Sequence, residues 1–175
     1  TATQASKLIE YLIKQKKIVG LFYAVAFNTG MRTSELYGLR WQDVNIHNKK
    51  ITVEGAVVRG IRKATKTNKV RCIDINNACI EHLMQLYAIS GQREYTFSTD
   101  TYNFTCSNAK TRVRLWYKAL KLLNIPKIKP SSTRHTYASI ALSKGARPAW
   151  LALQQGHASI NTTYKFYAKW INSDD

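Results

Sequence analysis

Between Asn48 and Ile75 the apolar residues change period, and that change limits the class of fold open to the chain. Ile51-Thr52-Val53, Ala56-Val57-Val58 and the run from Val70 to Ile75 alternate or run apolar, with Gly55, Gly60 and Thr67-Asn68 as turns. The pattern predicts a small three-stranded antiparallel sheet. On either side the period is helical: Leu8, Ile9, Leu12 and Ile13 within 4–14, then Leu21, Phe22, Val25 and Ala26 within 18–28, closed by Thr29-Gly30. A short third helix is expected over 34–39. The expected fold is therefore mainly α with a small antiparallel β-sheet, an α+β arrangement.

Beyond the sheet, a helix over 76–90 is capped by Asn76 or Asn77 and turns Ile80, Leu83, Met84 and Tyr87 inward. Residues 91–106 show no clear period and read as a long loop. The next helix, 108–123, has Val113, Trp116, Tyr117 and Leu120 inward, leaving Lys110, Arg112, Arg114, Lys118 and Lys121 for solvent or a phosphate backbone. Three short helices follow. The first runs from Ser132 to Lys144 and stops at Gly145, the second opens at Pro148 and stops at Gly156, and Ser159 or Asn161 caps the third.

The formal charge is +17, from 27 Lys plus Arg against 10 Asp plus Glu, far more than solubility needs. A polyanion is the natural partner, and nucleic acid fits better than a membrane. No run of 18 apolar residues, signal-peptide core or basic amphipathic terminal helix is present. A chain of 175 residues, 45% hydrophobic, suits one core, so residues 1–175 read as a single domain. No cluster of His, Asp and Glu has metal-ligand spacing and no Gly-x-x-x-x-Gly-Lys occurs, so neither a metal nor a nucleotide cofactor is expected. Cys72, Cys79 and Cys106 lack Cys-x-x-Cys spacing and read as reduced packing residues.

The chemistry is concentrated between Ser131 and Trp170, where Arg134, His135, His157, Tyr164 and Tyr167 lie on the three short helices. A tyrosine hydroxyl titrates near ~10, so at neutral pH it attacks phosphorus only if its proton is taken as the bond forms and the phosphate charge is neutralised. Arg134 can neutralise, His157 can hydrogen-bond and Tyr167 can attack. Upstream, Arg32 opens the 34–39 helix, where guanidinium and backbone amides can cradle a phosphate; pairing with Glu35 or Asp43 is its plainer role. Glu35 and Asp43 either orient Arg32 or anchor the helix.

Two signatures make the stretch recognisable. Arg134-His-Thr-Tyr-Ala-Ser139, Gly156-His157 and a tyrosine in the next helix resemble the C-terminal part of tyrosine recombinases, the phage integrase family. Asn28-Thr-Gly-Met-Arg32-Thr-Ser-Glu35-Leu36 and Gly38-Leu-Arg-Trp-Gln-Asp43 resemble that family's first arginine box, about a hundred residues upstream. The resemblance implies a tyrosine recombinase catalytic-domain fold, the fold of DNA breaking-rejoining enzymes. It implies site-specific DNA recombination, as by a phage or prophage integrase, through a 3′-phosphotyrosyl intermediate with no metal or cofactor. Arg32 and Arg134 would clamp the scissile phosphate and His157 would donate to it.

Other features keep alternatives open. Thr65-Lys66-Thr67 resembles the hairpin lysine that protonates the leaving 5′ oxygen, with Lys63 and Lys69 as rivals; Arg59, Arg62, Lys63, Lys69 and Arg71 read as backbone-phosphate or edge charges. Tyr167 lies ten residues after His157, whereas the commonest family spacing of nine falls on Phe166. Phe166-Tyr-Ala-Lys-Trp-Ile171 resembles a branch of phage and prophage integrases that uses the longer spacing, which favours Tyr167. Tyr164 better suits an ordinary core aromatic. Ser131 stands where the family usually has a histidine; it can contact a phosphate oxygen but cannot share a proton near neutral pH. His135 points about 100° from Arg134 around its helix and is expected to pack there, with a phosphate contact as its alternative.

The resemblance further implies duplex attachment sites as partners, a homo-oligomer on DNA that is a tetramer in the synapse, accessory DNA-bending or directionality proteins, and the cytoplasm of a bacterial host. Position 1 is Thr, from which a longer parent with an N-terminal DNA-binding domain is expected, and Ile171 to Asp175 is where a tail can pass to a neighbouring protomer. A type IB topoisomerase or a catalytically degenerate DNA-binding module would share much of this pattern.

Overall fold

The computed structural model describes residues 1–64, 70–99, 102–103 and 109–170. Helices α1 (Ala2–Gln15), α2 (Lys17–Thr29) and α3 (Thr33–Tyr37) precede strands β1 (Val44–Asn45), β2 (Lys50–Val53), β3 (Gly55–Val58), β4 (Ile61–Ala64) and β5 (Arg71–Asp74). Then come α4 (Asn77–Ser90), β6 (Ser98–Thr99), β7 (Tyr102–Asn103), α5 (Ala109–Leu122), α6 (Ser132–Ser143), α7 (Pro148–Gln155) and α8 (Ile160–Tyr167).

Helix α2 is apolar all round rather than on one face, and every residue from Ile18 to Ala26 is buried. A helix of that kind belongs inside. Accordingly α2 packs against α1, α4 and α6 and carries the core, ending at Gly30 in the left-handed region at φ 63°. In α5 the expected inner face holds, with one correction. Arg112 is 4% exposed, donates from Nη1 to the Tyr23 hydroxyl (2.9 Å) and from Nη2 to that of Tyr37 (2.5 Å), and lies 4.6 Å over the Phe22 ring. Phenol oxygens and ring faces accommodate the charge. In α4, Cys79, Leu83 and Leu86 are buried, whereas Met84 and Tyr87 are exposed, the Tyr87 ring meeting Trp41 edge-on.

The sheet differs from expectation. Strand β2 pairs directly with β5 (Ile51↔Ile73, Val53↔Arg71) and β1 supplies the third strand. Strand β3 leaves this sheet and pairs with β4 as a separate hairpin, turned at Arg59 and Gly60, both at positive φ as a two-residue type I′ turn requires. The diversion has a cause in packing: β3 lies on α3 so closely that a Cβ on Gly38 would stand 3.1 Å from the Ala56 backbone. Strand β4 is exposed throughout.

The region expected as a long loop contains the β6–β7 pair and three buried residues, Thr96, Phe97 and Ser98. Cys79 is a buried thiol whose pKa burial pushes up to about 12, but Cys72 is exposed rather than packed; Cys106 lies outside the described residues. Helices α6, α7 and α8 share a second, smaller core of Ala138, Leu142, Leu151 and Tyr167.

Candidate active site

Glu35 is the hub of the first half of the site. Its buried carboxylate accepts from the Arg32 backbone (2.8 Å), from Arg32 Nη1 (2.9 Å), and from Arg71 through two bonds of 3.0 and 2.8 Å. Burial alone would push its pKa up, but the Arg71 bonds and the charges of Arg71 and Arg32 hold it below the ordinary carboxylate value. Arg32 also reaches the Gly156 carbonyl (3.5 Å), and Arg71 Nε donates to the Gln154 carbonyl (3.2 Å). The start of α3, strand β5 and the end of α7 are thus tied together.

Arg71 was expected among the DNA-facing charges of the hairpin, and the structure corrects this. Side chains alternate along a strand, so Arg71 shares its face with buried Ile73 and its guanidinium turns inward onto Glu35. Asp43 is likewise not a partner of Arg32. It binds Arg40, which also pairs with Glu54.

Arg134 sits in the first turn of α6. Its Nη1 donates to the Gly30 carbonyl (2.7 Å) and its Nη2 to the Gln155 carbonyl (2.5 Å), while Gln155 Nε2 returns a bond to the Arg134 carbonyl (2.9 Å). These anchors hold the guanidinium on the turn that ends α2. Burial, then the charge of Arg32, lower its pKa to about 10, so it stays cationic at neutral pH. Three guanidiniums therefore accompany one carboxylate, and the surplus charge favours an anion. Arg32 and Arg134 line a cleft of about 460 Å³ with Thr33, Ser34, Arg59 and Ser131. A larger groove of about 560 Å³, between α1 and α6, contains neither arginine.

The tyrosines divide clearly. Tyr167 is 3% exposed, whereas Tyr164 and Phe166 are 46% and 55% exposed, so Tyr164 is not the core aromatic it was expected to be. The Tyr167 ring packs in the smaller core, and its hydroxyl lies 2.7 Å from His135 Nδ1. Its pKa is raised by burial, against the lowering effect of Arg134 and of a hydrogen bond with Gln155. The His135 ring, expected to pack within its own helix, instead bridges α6 to α8, and the residue as a whole remains exposed. His157 Nδ1 bonds the buried Thr163 hydroxyl (2.8 Å), which fixes the ring and leaves Nε2 as the available nitrogen. Burial, Arg134 and Arg32 lower the His157 pKa to about 4, so the ring is neutral at pH 7.

Ser131 is exposed at the rim of the cleft. Arg59 and Lys63 are exposed on the hairpin, and Arg62 pairs there with Glu54 (2.9 Å). Lys66 and Lys69 lie outside the described residues. Sequence reasoning gave Arg71 an outward, DNA-facing role instead of its bond to Glu35, and missed Gln155 as a site residue. The period-two register with Ile73 could have revealed Arg71, but no signal in the sequence marks Gln155.

A mainly helical domain of this topology, with small antiparallel sheets, has the fold of tyrosine recombinase catalytic domains. It is similar to the integrase of transposon Tn1549 in complex with circular intermediate DNA (TM-score 0.79, 22% identity, covering 95% of this chain and 61% of that one). It is also similar to the catalytic domain of bacteriophage HP1 integrase (TM-score 0.72, 21% identity, covering 99% and 88%). The sequence profile of the Phage integrase family matches residues 1–172, and the chain belongs to that family. Relatives include the prophage integrase IntR of Escherichia coli K12, 28% identical over 84% of this chain and 42% of that protein. A XerC-like tyrosine recombinase of Caldanaerobacter subterraneus is 25% identical over 92% and 48%. The chain thus spans less than half the length of these curated relatives. Among the described residues, no helix is long and apolar enough to cross a membrane.

Proposed function

We propose that this chain is the catalytic domain of a site-specific recombinase, a phage or prophage integrase, that cleaves and rejoins duplex DNA through Tyr167. The observation that carries this reading is the convergence of Arg32 and Arg134, from motifs about a hundred residues apart, on one cleft, together with a tyrosine hydroxyl turned inward beside Arg134. The two guanidiniums bind the nonbridging oxygens of the scissile phosphate, each able to donate two bonds to them. His157 Nε2 and the Ser131 hydroxyl add donors. Tyr167 attacks in line, the bond to the 5′ oxygen breaks, and Lys66 protonates that oxygen. The covalent 3′-phosphotyrosine retains the bond energy, and a 5′ hydroxyl from another strand reverses the step without a cofactor.

The partners that follow are duplex attachment sites, further copies of the chain in a synaptic tetramer, and accessory DNA-bending or directionality proteins, all in the cytoplasm of a bacterial host. Arg59, Arg62, Lys63 and Lys69 contact the DNA backbone, with residues 1–175 acting as one catalytic domain. The tetramer draws support from the fold likeness to lambda integrase, solved as a tetramer bound to a Holliday junction (TM-score 0.72, 19% identity).

The test is covalent capture. The chain is incubated with a randomised duplex pool, and DNA that remains attached to protein through denaturing electrophoresis is recovered and sequenced. Adducts enriched for one core sequence, abolished by Tyr167→Phe and retained by Tyr164→Phe, are expected. Adducts without sequence preference, coupled to relaxation of supercoiled plasmid, favour a type IB topoisomerase. Salt-sensitive binding with no adduct contradicts cleavage.

A further inference from the structure

Cleavage by Tyr167 leaves a question the phosphate clamp does not answer, namely where the phenolic proton goes. The arginines are already protonated. Ser131 cannot hold a proton at neutral pH. His157 has its Nδ1 committed to Thr163 at 2.8 Å, and its Nε2 is the donor to the phosphate in the reading above. The imidazole that touches the tyrosine oxygen is that of His135, one residue after Arg134, with Nδ1 at 2.7 Å and the two ring centroids 5.8 Å apart.

We propose that His135 is the general base of this site, taking the Tyr167 proton onto Nδ1 during cleavage and returning it during rejoining. The inference rests on the tyrosine-cleavage reading above and assigns the proton path within it. In balance, the Oη–H bond of Tyr167 breaks as Oη bonds phosphorus, and the proton passes to Nδ1 of an imidazole whose Nε2 already carries one. The bond to the 5′ oxygen breaks and that oxygen is protonated by the separate acid. In rejoining, Nδ1–H protonates the departing tyrosine oxygen.

The surroundings suit the task. His135 meets Arg134 on its own helix, Tyr167 and the Phe166 ring on α8, and His157 at the α7–α8 turn. Burial and the Arg134 charge keep its pKa below the ordinary histidine value, so the ring is neutral at pH 7, and the tautomer with its proton on Nε2 accepts at Nδ1. Burial keeps the phenol protonated until attack begins, when its acidity rises as the oxygen becomes an ester oxygen. The exposure of the residue lets the imidazolium exchange with solvent.

The test uses a duplex recovered by covalent capture, resynthesised with sulfur at the 5′ bridging position, and single-turnover adduct formation by His135→Ala and His135→Asn. Sulfur leaves without protonation, so it rescues loss of the acid and not loss of the base. Asn places an accepting oxygen where Nδ1 lies but cannot take a proton, so it preserves tyrosine placement alone. Both variants are expected to be slower by about 10²–10⁴-fold, without sulfur rescue. Their rates should climb with pH through 7 to 9, where the unaltered chain is flat. Wild-type rates in His135→Asn, or sulfur rescue of either variant, overturn the assignment. A pool that yields no adduct with the unaltered chain overturns the cleavage reading itself, and this inference with it.

Discussion

Arg71 grips Glu35 through two parallel hydrogen bonds of 3.0 and 2.8 Å, and the same carboxylate orients Arg32. A strand residue with no cleft-lining role thereby sets the direction of one that lines the cleft. Removing one partner of a buried pair exposes the cost of the other's burial. Arg71→Ala is expected to lose roughly 3 kcal/mol of stability, read from the shift in urea midpoint. Arg71→Met with Glu35→Gln should recover part of it; a loss under 1 kcal/mol would show the pair to be loosely held.

The salt dependence of DNA binding separates inward from outward arginines. Each phosphate contact contributes about one to the slope of log affinity against log salt. Arg59→Ala and Lys63→Ala on the exposed hairpin should each reduce the slope by about one. Arg71→Lys should leave it unchanged, because that side chain faces Glu35.

Gly156 and Gly145 both sit at positive φ, 62° and 81°, but only Gly156 is crowded: a Cβ there would stand 3.0 Å from the Arg71 guanidinium, whereas nothing lies within 4 Å at Gly145. Left-handed backbone alone costs a β-carbon about 1–2 kcal/mol. Gly145→Ala should show only that cost in thermal unfolding. Gly156→Ala should exceed it and should weaken DNA binding, since the Gly156 carbonyl also meets Arg32.

His157 makes stability depend on pH in a defined window. Its folded pKa of about 4 is below the ordinary histidine value of 6.5, so the unfolded chain binds the extra proton first. The contribution is fully present above pH 6.5 and lost as pH falls toward 4. Melting temperature should fall across that window, and His157→Gln should flatten part of the fall. Bound DNA places an anion beside the ring, which raises the folded pKa toward the ordinary histidine value and should make the fall smaller.

The helices and the two arginine motifs were legible because period and caps are local. What escaped depended on partners distant in sequence. Arg71 read as one more charge in a basic hairpin, although its parity with Ile73 placed it inside. Arg112 read as a solvated charge because its acceptors, Tyr23 and Tyr37, lie on other helices. His135, about 100° from Arg134 around the helix, read as a packing residue with a phosphate contact as its alternative, yet that rotation carries it to Tyr167 on α8. The packing of α8 on α7 and into the smaller core decides which aromatic is enclosed, and the spacing of Tyr164, Phe166 and Tyr167 does not encode it.

The most direct measurement is the site of covalent attachment. Lys165 separates Tyr164 from Tyr167, so trypsin places the two in different peptides. After nuclease trimming of a captured adduct, mass spectrometry should find the nucleotide on the peptide Phe166-Tyr167-Ala168-Lys169. A nucleotide on the Tyr164 peptide, or an unmodified chain from a preparation that cuts DNA, would contradict Tyr167 as the nucleophile.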